Sequence, residues 1–367
     1  MSARRRLSLA GVIAVVASLV FAAAANAAVR VVHPGESIQA AIDAASPGDT
    51  ILVEPGTYHE NLTITKNQLT LRSARGLGSV VLEPGASPTP SPCVQDPSSV
   101  PGICVLGQID QNGNPGAPVV GTRIHGFVVE NFSDFGVFLF NAASSAVTST
   151  EARDNGSYGI SGFHLSGIRF VNDVAHDNGD PGFYIGDSPQ ANALVVGNRS
   201  FRNGVGGEEG FGFLFRDASR GVVFGNRASD NCAGFVFADT GEDPAPLSDW
   251  HAGANASLHN NGACTGEEGG PPPTSGIGFL LLGPHRLSLV ANVARGNSPT
   301  GPSLASGGID LLSSAAIGGA DPTDNLIAGN VALDNSPFDI FWDQTGSGNR
   351  FIANHCRTSQ PPFICGS

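Results

Sequence analysis

An all-β fold, wound as a right-handed parallel β-helix, is predicted by three features of this sequence. From residue 121 onward an asparagine recurs after a short apolar strand, and the first intervals between copies are 24, 23 and 25 residues. Later intervals lengthen to 28, 29, 37 and 38 residues, as insertions in loops would make them. Each copy then continues with glycine and alternating large apolar residues. A short period with peripheral insertions is typical of a solenoid.

The first 27 residues have the composition of a secretion signal. Arg4, Arg5 and Arg6 precede an apolar run that ends in Ala25-Asn26-Ala27, a small-residue cleavage pattern. A second apolar run of about 18 residues does not follow, so no integral membrane segment is expected after the signal is removed. We predict a secreted protein whose residues 28–367 form one β-helix domain.

The next element is a capping helix over residues 36–46. Ile38, Ala41, Ile42 and Ala45 follow helical i, i+3, i+4, i+7 spacing. An open solenoid end exposes apolar core and unpaired strand edges, and an amphipathic helix laid over the first coil protects both. Strand-like runs follow, and residues 86–117 are predicted to form a large loop excursion.

Paired asparagines define the coils over residues 121–356. Because stacked coils lie about 4.8 Å apart, equivalent side-chain amides can hydrogen-bond along the stack. We predict asparagine ladders at the coil corners, with the asparagines in the left-handed backbone conformation that Asn tolerates. A leucine-rich repeat has a similar period, but the leucine framework is missing. The pairs are Asn198/Asn203, Asn226/Asn231, Asn255/Asn260, Asn292/Asn297, Asn330/Asn335 and Asn349/Asn354, and Asn131, Asn155 and Asn178 keep the second position.

Four motifs near the N-terminus carry a family resemblance. They are Ser-Ile-Gln-Ala-Ala-Ile at 37–42, Pro-Gly-Asp-Thr-Ile-Leu-Val at 47–53, Pro-Gly-Thr-Tyr at 55–58 and Leu-Thr-Leu at 69–71. With the coils behind them, they closely resemble the start of pectin-lyase-like β-helix proteins. The resemblance implies the fold. It leaves the activity open, because that superfamily holds lyases, hydrolases, epimerases and proteins with no known catalysis.

Charge and cysteine content restrict the environment and the partners. Removal of three arginines with the signal shifts the formal net charge from -13 to -16, which excludes nucleic acid and favours a neutral glycan. Six cysteines without a CxxC pair favour disulfides in an oxidising compartment. Proximity in the sequence favours Cys93–Cys104, Cys232–Cys264 and Cys356–Cys365. We expect a monomer.

A column of polar residues marks the candidate site. Aligning the coils puts Asn141, His164, Asp187, Asp217 and Asp239 at the end of the long strand. Carboxylates stacked near 5 Å repel when ionised, so a stack implies a raised pKa, a bound cation or side chains turned apart. We assign His164, Asp187, Asp217 and Asp239 as catalytic candidates and the three aspartates as candidate Ca²⁺ ligands, like the Ca²⁺ sites of related lyases. The alternative is that these aspartates make Asx turns.

Substrate contacts are predicted around this column. If the family's usual arrangement holds, the insertions 204–209, 263–275, 298–306, 240–253 and 315–322 wall a groove over the long strands. Tyr184 is predicted to point outward from its strand, and Arg216 adjoins the column. Trp250 and His251, in the predicted loop 240–253, could stack on a sugar ring. A buried loop anchor is the alternative for Trp250.

The functional expectation is a secreted protein that binds a polysaccharide or cell-envelope glycan in this groove. Processing of the glycan by lyase, hydrolase or epimerase chemistry is left open. So is a non-catalytic recognition or structural role at the cell surface. No cofactor is required in this interpretation, and Ca²⁺ is the candidate ion.

Overall fold

The computed structural model describes residues 27–94, 96, 98–204, 206–242, 246–266 and 272–366. The predicted signal peptide lies outside the described residues except for Ala27. The described chain winds through three sheets in which each strand pairs in parallel with the strands one coil before and after it. The predicted fold class, a parallel β-helix, is confirmed. None of the described helices is long and apolar enough to cross a bilayer.

The strands divide among the sheets as follows. The first sheet contains Val29–Val32, Thr50–Val53, Thr70–Ser73, Arg123–His125, Ala146–Thr148, Arg169–Val171, Ala193–Val196, Ser248–Gly253, Ser288–Val290, Leu326–Ala328 and Arg350–Ile352. The second sheet contains Gly56–His59, Val80–Glu83, Phe127–Glu130, Glu151–Arg153, Val174–His176, Arg199–Phe201, Arg227–Ser229, Ala256–Leu258, Val293–Arg295 and Val331–Leu333. The third sheet contains Leu62–Ile64, Ile103–Leu106, Val137–Phe140, Ile160–Phe163, Phe183–Ser188, Ala233–Ala238, Ile277–Leu282, Gly307–Leu312, Ile340–Trp342 and Ser359–Gln360.

Other elements complete the path. The long strand Phe211–Phe224 belongs to the third sheet in its first half and to the first sheet in its second half. The two-residue strand Val119–Val120 pairs in parallel with Ala142–Ala143. The two-residue strand Ala263–Cys264 pairs antiparallel with Thr274–Ser275. Short 3-10 helices span Ala315–Ile317 and Pro362–Gly366.

The N-terminal capping helix is present as Ile38–Ala44, two residues shorter at each end than predicted. The Ser37 hydroxyl caps it by accepting a hydrogen bond from the Ala40 amide at 3.1 Å. Ile38 and Ile42 are buried against the first coils. At its other end the Lys66 ammonium donates to the carbonyls of Ile42 and Ala45, both at 2.8 Å, and so satisfies carbonyls that the helix leaves unpaired.

The interior is filled by stacked side chains from successive coils. The rings of Phe183, Phe213, Phe235 and Phe279 stack with centroids 4.8, 4.7 and 4.9 Å apart. These distances match the spacing of neighbouring strands. Residues that alternate with them along the third sheet, such as Tyr184 and Leu214, form a second buried cluster on its outer face.

Asparagine ladders run along two corners of the helix. In each, the amide nitrogen of one asparagine donates to the side-chain oxygen of the asparagine one coil further on. One ladder joins Asn155, Asn178, Asn203, Asn231, Asn260, Asn297 and Asn335, and ends at Asp339. The other joins Asn198, Asn226, Asn255, Asn292, Asn330 and Asn354.

Three details of the predicted ladders are wrong. The left-handed residue is the one before the ladder position, as in Asp177 with φ 56° and Ala254 with φ 53°, because the asparagine itself must aim its amide along the stack. Asn131 occupies this left-handed position with φ 66°, and Phe132 stands where the ladder asparagine would be. Asn354 bonds to Asn330 and therefore belongs to the first position of the pair, while Asn349 accepts from Asn325 at 2.9 Å and lies outside both ladders.

Two predicted loops contain strands of the sheets. The segment 86–117 includes the buried strand Ile103–Leu106, and the segment 240–253 includes Ser248–Gly253. Both strands lie beside long insertions, which disguised their period in the sequence. The three predicted disulfides, Cys93–Cys104, Cys232–Cys264 and Cys356–Cys365, are confirmed.

Candidate functional site

The predicted groove floor, the outer face of the third sheet, is mostly covered. Strand register places Tyr184, Leu214, Val236, Leu280 and Asp310 in one outward-facing row along successive coils. All five side chains are buried. The predicted open cleft along this row is therefore wrong, because apolar side chains pack there as a second core under the flanking segments. Accessible polar groups lie beside the row, at the strand ends.

The predicted polar column is present in the backbone. Gly186 pairs with Arg216 and Ser188 with Ala218, which sets Asp187 opposite Asp217. Arg216 pairs with Ala238, so Asp239 follows on the next coil. The φ angles of Asn141, His164, Asp187 and Asp217 are 51°, 53°, 47° and 47°. The column is thus a set of left-handed strand ends, a conformation that Asn and Asp adopt more readily than other side-chain-bearing residues.

Asp217 holds a turn. Its carboxylate accepts hydrogen bonds from the backbone amides of Thr240 at 2.7 Å and Gly241 at 3.3 Å, and from the Thr240 hydroxyl. The residue is 0% exposed. Direct contact with a substrate or a metal ion, as predicted for Asp217, does not fit this arrangement, because its oxygens already accept these bonds and solvent does not reach it.

Asp239 is also enclosed, with 3% of its surface exposed. It accepts from the Gly241 amide at 3.1 Å and lies 3.8 Å from Nε2 of His285. Burial raises the pKa of Asp239, and the neighbouring Asp217 raises it further. The catalytic and Ca²⁺-binding roles predicted for Asp239 do not fit either, because its carboxyl group faces other protein groups.

The accessible part of the column is a cluster of Asp187, Arg216 and Glu242. The Arg216 Nη2 atom lies 3.9 Å from Asp187 and 3.5 Å from Glu242, and Nε lies 3.9 Å from Asp217. Side-chain exposure is 25% for Asp187, 31% for Arg216 and 63% for Glu242. We call these three residues the Arg216 cluster. Glu242 takes the place that the sequence assigned to Asp239.

The carboxylate oxygens in and beside this cluster are the donor atoms that a metal ion would need. Single carboxylate oxygens of Asp187, Asp217 and Glu242 lie within 4.8 Å of one another, a spacing that could surround a cation. The Arg216 guanidinium, however, lies against all three, and it supplies the positive charge that the carboxylates need. A Ca²⁺ ion would have to displace it. The residues present therefore do not fit Ca²⁺ without rearrangement.

His164 stays beside the cluster. Phe163 pairs with Gly186, so His164 precedes Asp187 by one coil in the column. Its half-buried imidazole contacts the edge of the Phe140 ring, with centroids 5.1 Å apart. His164 is thus placed where it could touch a ligand bound at Asp187.

Tyr184 points away from the interior but is buried. Its ring contacts Tyr158 and Phe163, with centroids 5.1 and 4.9 Å away. Its hydroxyl has no hydrogen-bond partner among the described residues, and burial raises the pKa of Tyr184. The predicted substrate contact by Tyr184 is not available in this conformation, because other aromatic side chains cover the ring.

Trp250 and His251 lie elsewhere. Trp250 is in the core, where its indole nitrogen donates to the Ala218 carbonyl at 2.8 Å. The predicted stacking of Trp250 on a sugar is therefore wrong, since the residue belongs to a strand whose alternation turns it inward. His251 is exposed on the outer face of the first sheet and pairs with Val222, so it does not join the Arg216 cluster.

Besides Glu242, sequence reasoning missed Asp310, an ionisable residue on the outer face of the third sheet. It stands between the core residues Ile309 and Leu311 in the strand Gly307–Leu312. A carboxylate at an alternating position of an otherwise apolar strand was the available signal.

Comparison with known proteins supports the architecture. Residues 102–261 match the family model described as the right handed beta helix region. No curated protein sequence matches the chain significantly. The A-module of the Azotobacter vinelandii mannuronan C-5 epimerase AlgE4 is similar in structure, with a TM-score of 0.54, 16% identity, and coverage of 86% of this chain and 89% of that one.

A second structure agrees with the first. The catalytic unit of the GH87 alpha-1,3-glucanase from Streptomyces thermodiastaticus strain HF3-3 has a TM-score of 0.57 at 14% identity, and the match covers 91% of this chain and 65% of that one. Identities this low show the fold alone. The chain is therefore a right-handed parallel β-helix protein by its fold, and its residues 102–261 match the right handed beta helix region.

Proposed function

We propose that this protein is secreted and binds a neutral polysaccharide at the Arg216 cluster. The observation that carries the proposal is the position of Asp187, Arg216 and Glu242, a partly exposed polar cluster beside a sheet face that is mostly apolar. Fixed acceptors and donors next to apolar surface are the usual components of a small-molecule site. The half-buried rings of Phe140 and Phe163, on the neighbouring coils, supply that surface.

Charge favours a neutral ligand. The cluster and the adjoining Asp217 combine three carboxylates with one guanidinium, so the local charge is negative. The chain without its predicted signal carries a formal charge of -16, because three of the residues lost from a net charge of -13 are arginines. A polyuronate would be repelled by both the site and the whole molecule. Hydroxyl groups, in contrast, can bond to carboxylates and to the guanidinium without a charge penalty.

Two further findings support the proposal. Three disulfides among the described residues suit an oxidising compartment outside the cytosol. Two structures with a similar fold are named as a mannuronan epimerase module and an alpha-1,3-glucanase, so polysaccharides are known ligands of this architecture. Because one fold can carry many unrelated functions, the proposal depends on the Arg216 cluster and not on the fold.

Hydrolysis is the second candidate function. Carboxylate oxygens of Asp187 and Glu242 lie within 4.8 Å of each other. Retaining glycosidases use a pair about 5–5.5 Å apart, one as nucleophile and one as acid and base. Asp187 would be the nucleophile, because it is the less exposed and is held by the strand. Glu242 would be the acid and base.

The experiment is a binding and product screen on the purified mature protein. Neutral glucans, mannan and xylan are compared with alginate and polygalacturonate by affinity electrophoresis, and reducing ends and unsaturated products are measured together. We expect retardation by a neutral polymer that Asp187→Asn and Glu242→Gln reduce. The matched control Arg123→Gln, on the exposed face of the first sheet, should bind like the wild type.

The possible outcomes separate the candidates. New reducing ends without unsaturated product, abolished in both carboxylate variants, would establish hydrolysis. Binding without product would favour recognition alone. Tighter binding to the acidic polymers, or binding that the cluster variants do not change, would contradict the proposal.

A further inference from the structure

A pocket opens on the outer face of the third sheet near its C-terminal end. It lies between the insertion 298–306, the strand Gly307–Leu312 and residues 336–341. Its volume is about 450 Å³, within the range of small-molecule sites. Leu304, Leu312, Phe338 and Phe341 belong to its apolar lining, and Asp310 also lines it. We call it the Asp310 pocket.

Asp310 is aimed into this pocket. Ile309 and Leu311 on either side of it point into the core, so the alternation of the strand turns Asp310 outward. The residue is 1% exposed, and its Oδ2 atom has no hydrogen-bond partner among the described residues. Burial raises the pKa of Asp310 to about 8, so most of the carboxyl group is protonated at pH 7.

The fold does not need a polar group at this position. The equivalent residues on the two preceding coils are Leu280 and Val236, and both are buried in the outer-face cluster. A buried carboxyl without a partner costs about 1–3 kcal/mol in comparison with an apolar residue of similar size. An unpaired polar group in a pocket, placed where the fold accepts leucine, indicates a role in binding.

The lining defines the chemistry of the ligand. The half-buried rings of Phe338 and Phe341 lie with centroids 6.0 Å apart and planes at 27°. Asp310 is the one ionisable side chain among the described residues that line the pocket. A neutral carboxyl group donates one hydrogen bond and accepts others, as a pair of neighbouring sugar hydroxyls requires. The aromatic rings match the apolar face of a sugar ring, and no cation is present for a uronate.

We propose that the Asp310 pocket binds one neutral sugar unit of the polysaccharide. The Asp310 carboxyl donates to one sugar hydroxyl and accepts from its neighbour, while Phe341 contacts the ring face. Leu312 is three coils from Arg216 in strand register, so the pocket lies about 14 Å further along the same face. The inference rests on the proposed function, because it adds a second contact to the same polymer.

The experiment is isothermal titration calorimetry with oligosaccharides on the full mature chain. Laminarihexaose and maltohexaose are the neutral ligands, and hexagalacturonate is the acidic one. Asp310→Leu and Phe341→Leu should each weaken the best neutral ligand about tenfold, the value of one buried hydrogen bond or one aromatic contact. Asp310→Asn should keep wild-type affinity, because an amide also donates and accepts. Phe224→Leu, an exposed phenylalanine of the first sheet, is the matched control.

The outcomes distinguish the pocket from the proposed function. Unchanged affinity in Asp310→Leu and Phe341→Leu, with wild-type binding intact, overturns the pocket and leaves the Arg216 cluster standing. Weaker binding by Asp310→Leu together with wild-type affinity in Asp187→Asn supports the pocket and contradicts binding at the Arg216 cluster. An equal loss of affinity in Asp310→Asn and Asp310→Leu overturns the idea that a neutral carboxyl group recognises the sugar hydroxyls. Absence of binding to every hexasaccharide overturns both ideas.

Discussion

Asp173 lies at the N-terminal end of an asparagine ladder, and replacing it with asparagine should stabilise the protein by extending the ladder one coil. It occupies the ladder position one coil before Asn198, whose side-chain oxygen accepts from the Asp173 amide at 2.8 Å. Its Oδ1 atom accepts from the Thr150 amide at 2.9 Å, but its buried Oδ2 atom has no partner among the described residues. In Asn198 the side-chain nitrogen occupies the place of this oxygen. It donates to the side-chain oxygen of Asn226 at 3.0 Å and to the Phe170 carbonyl at 2.9 Å.

The gain can be worked out from these contacts. The new amide nitrogen would face the Asn198 side-chain oxygen and the carbonyl of Val147, which pairs with Phe170. Two hydrogen bonds of about 1 kcal/mol each, and removal of an unpaired buried group worth about 1–3 kcal/mol, give about 3–5 kcal/mol at pH 7. With an unfolding entropy of about 2.1 cal/mol/K per residue, this raises the midpoint of thermal unfolding by about 4–7 °C.

The gain should depend on pH. Burial raises the pKa of Asp173 well above its ordinary value of 3.8. The stability contributed by the protonated carboxyl is therefore complete below pH 3.8 in the wild type, and it is lost as pH rises toward the folded-state pKa. Asp173→Asn removes this loss, so its advantage should be small at pH 4 and larger at pH 7.

The assay is differential scanning calorimetry of both proteins across this pH range. The reciprocal variant Asn226→Asp, in the middle of the same ladder, is the matched control and should be destabilised more at pH 7 than at pH 4. An equal or lower unfolding midpoint for Asp173→Asn at pH 7 would refute the reasoning, since the ladder position would then tolerate an ionised carboxylate.

Three other predictions follow from the site and the coil packing. Millimolar CaCl₂ should leave the unfolding midpoint of the wild type unchanged and raise that of Arg216→Met, because the partly exposed carboxylates of Asp187 and Glu242 then lack the neutralising guanidinium charge and attract the ion. A rise in the wild type would contradict the assignment. Gly234→Ala should lower the free energy of unfolding in urea by about 2 kcal/mol or more, since its Cβ would lie 2.0 Å from the Ser257 hydroxyl. Gly207→Ala is the control, and it should lower that free energy by less than about 1 kcal/mol because its nearest contact is at 3.3 Å. Affinity for a neutral hexasaccharide should fall above pH 8 as Asp310 ionises, and titration calorimetry should show no such fall in Asp310→Asn.

In the polar column, aligning the coils predicted which residues are neighbours but not which of them are buried. Asp187 and Asp217 are neighbours in register, as the repeat implied, because strand pairing in a β-helix follows sequence order coil by coil. Burial was not predictable in the same way. Asp217 is enclosed by the Thr240 turn, while Glu242, two residues further on, reaches the Arg216 guanidinium. The difference depends on how an irregular loop folds back.

Trp250 is a similar case. Composition suggested a loop between residues 240 and 253, and an exposed tryptophan beside a sheet is a plausible sugar platform. The strand Ser248–Gly253 continues the first sheet instead, and alternation turns Trp250 into the core against Phe215. An insertion of variable length before a short strand hides its phase, so inward and outward positions could not be assigned.

Sequence alone predicted the coiled architecture and the capping helix, and chain proximity favoured the cysteine pairing that the structure confirms. Each of these depends on local periodicity or short chain separation, which the sequence displays directly. Only the tertiary structure decided that the outer face of the third sheet carries a second apolar core, that Arg216 lies among three carboxylates, and that Asp310 has a pocket to itself. These features arise where insertions from different coils meet, and the packing of such segments depends on contacts that no period in the sequence records.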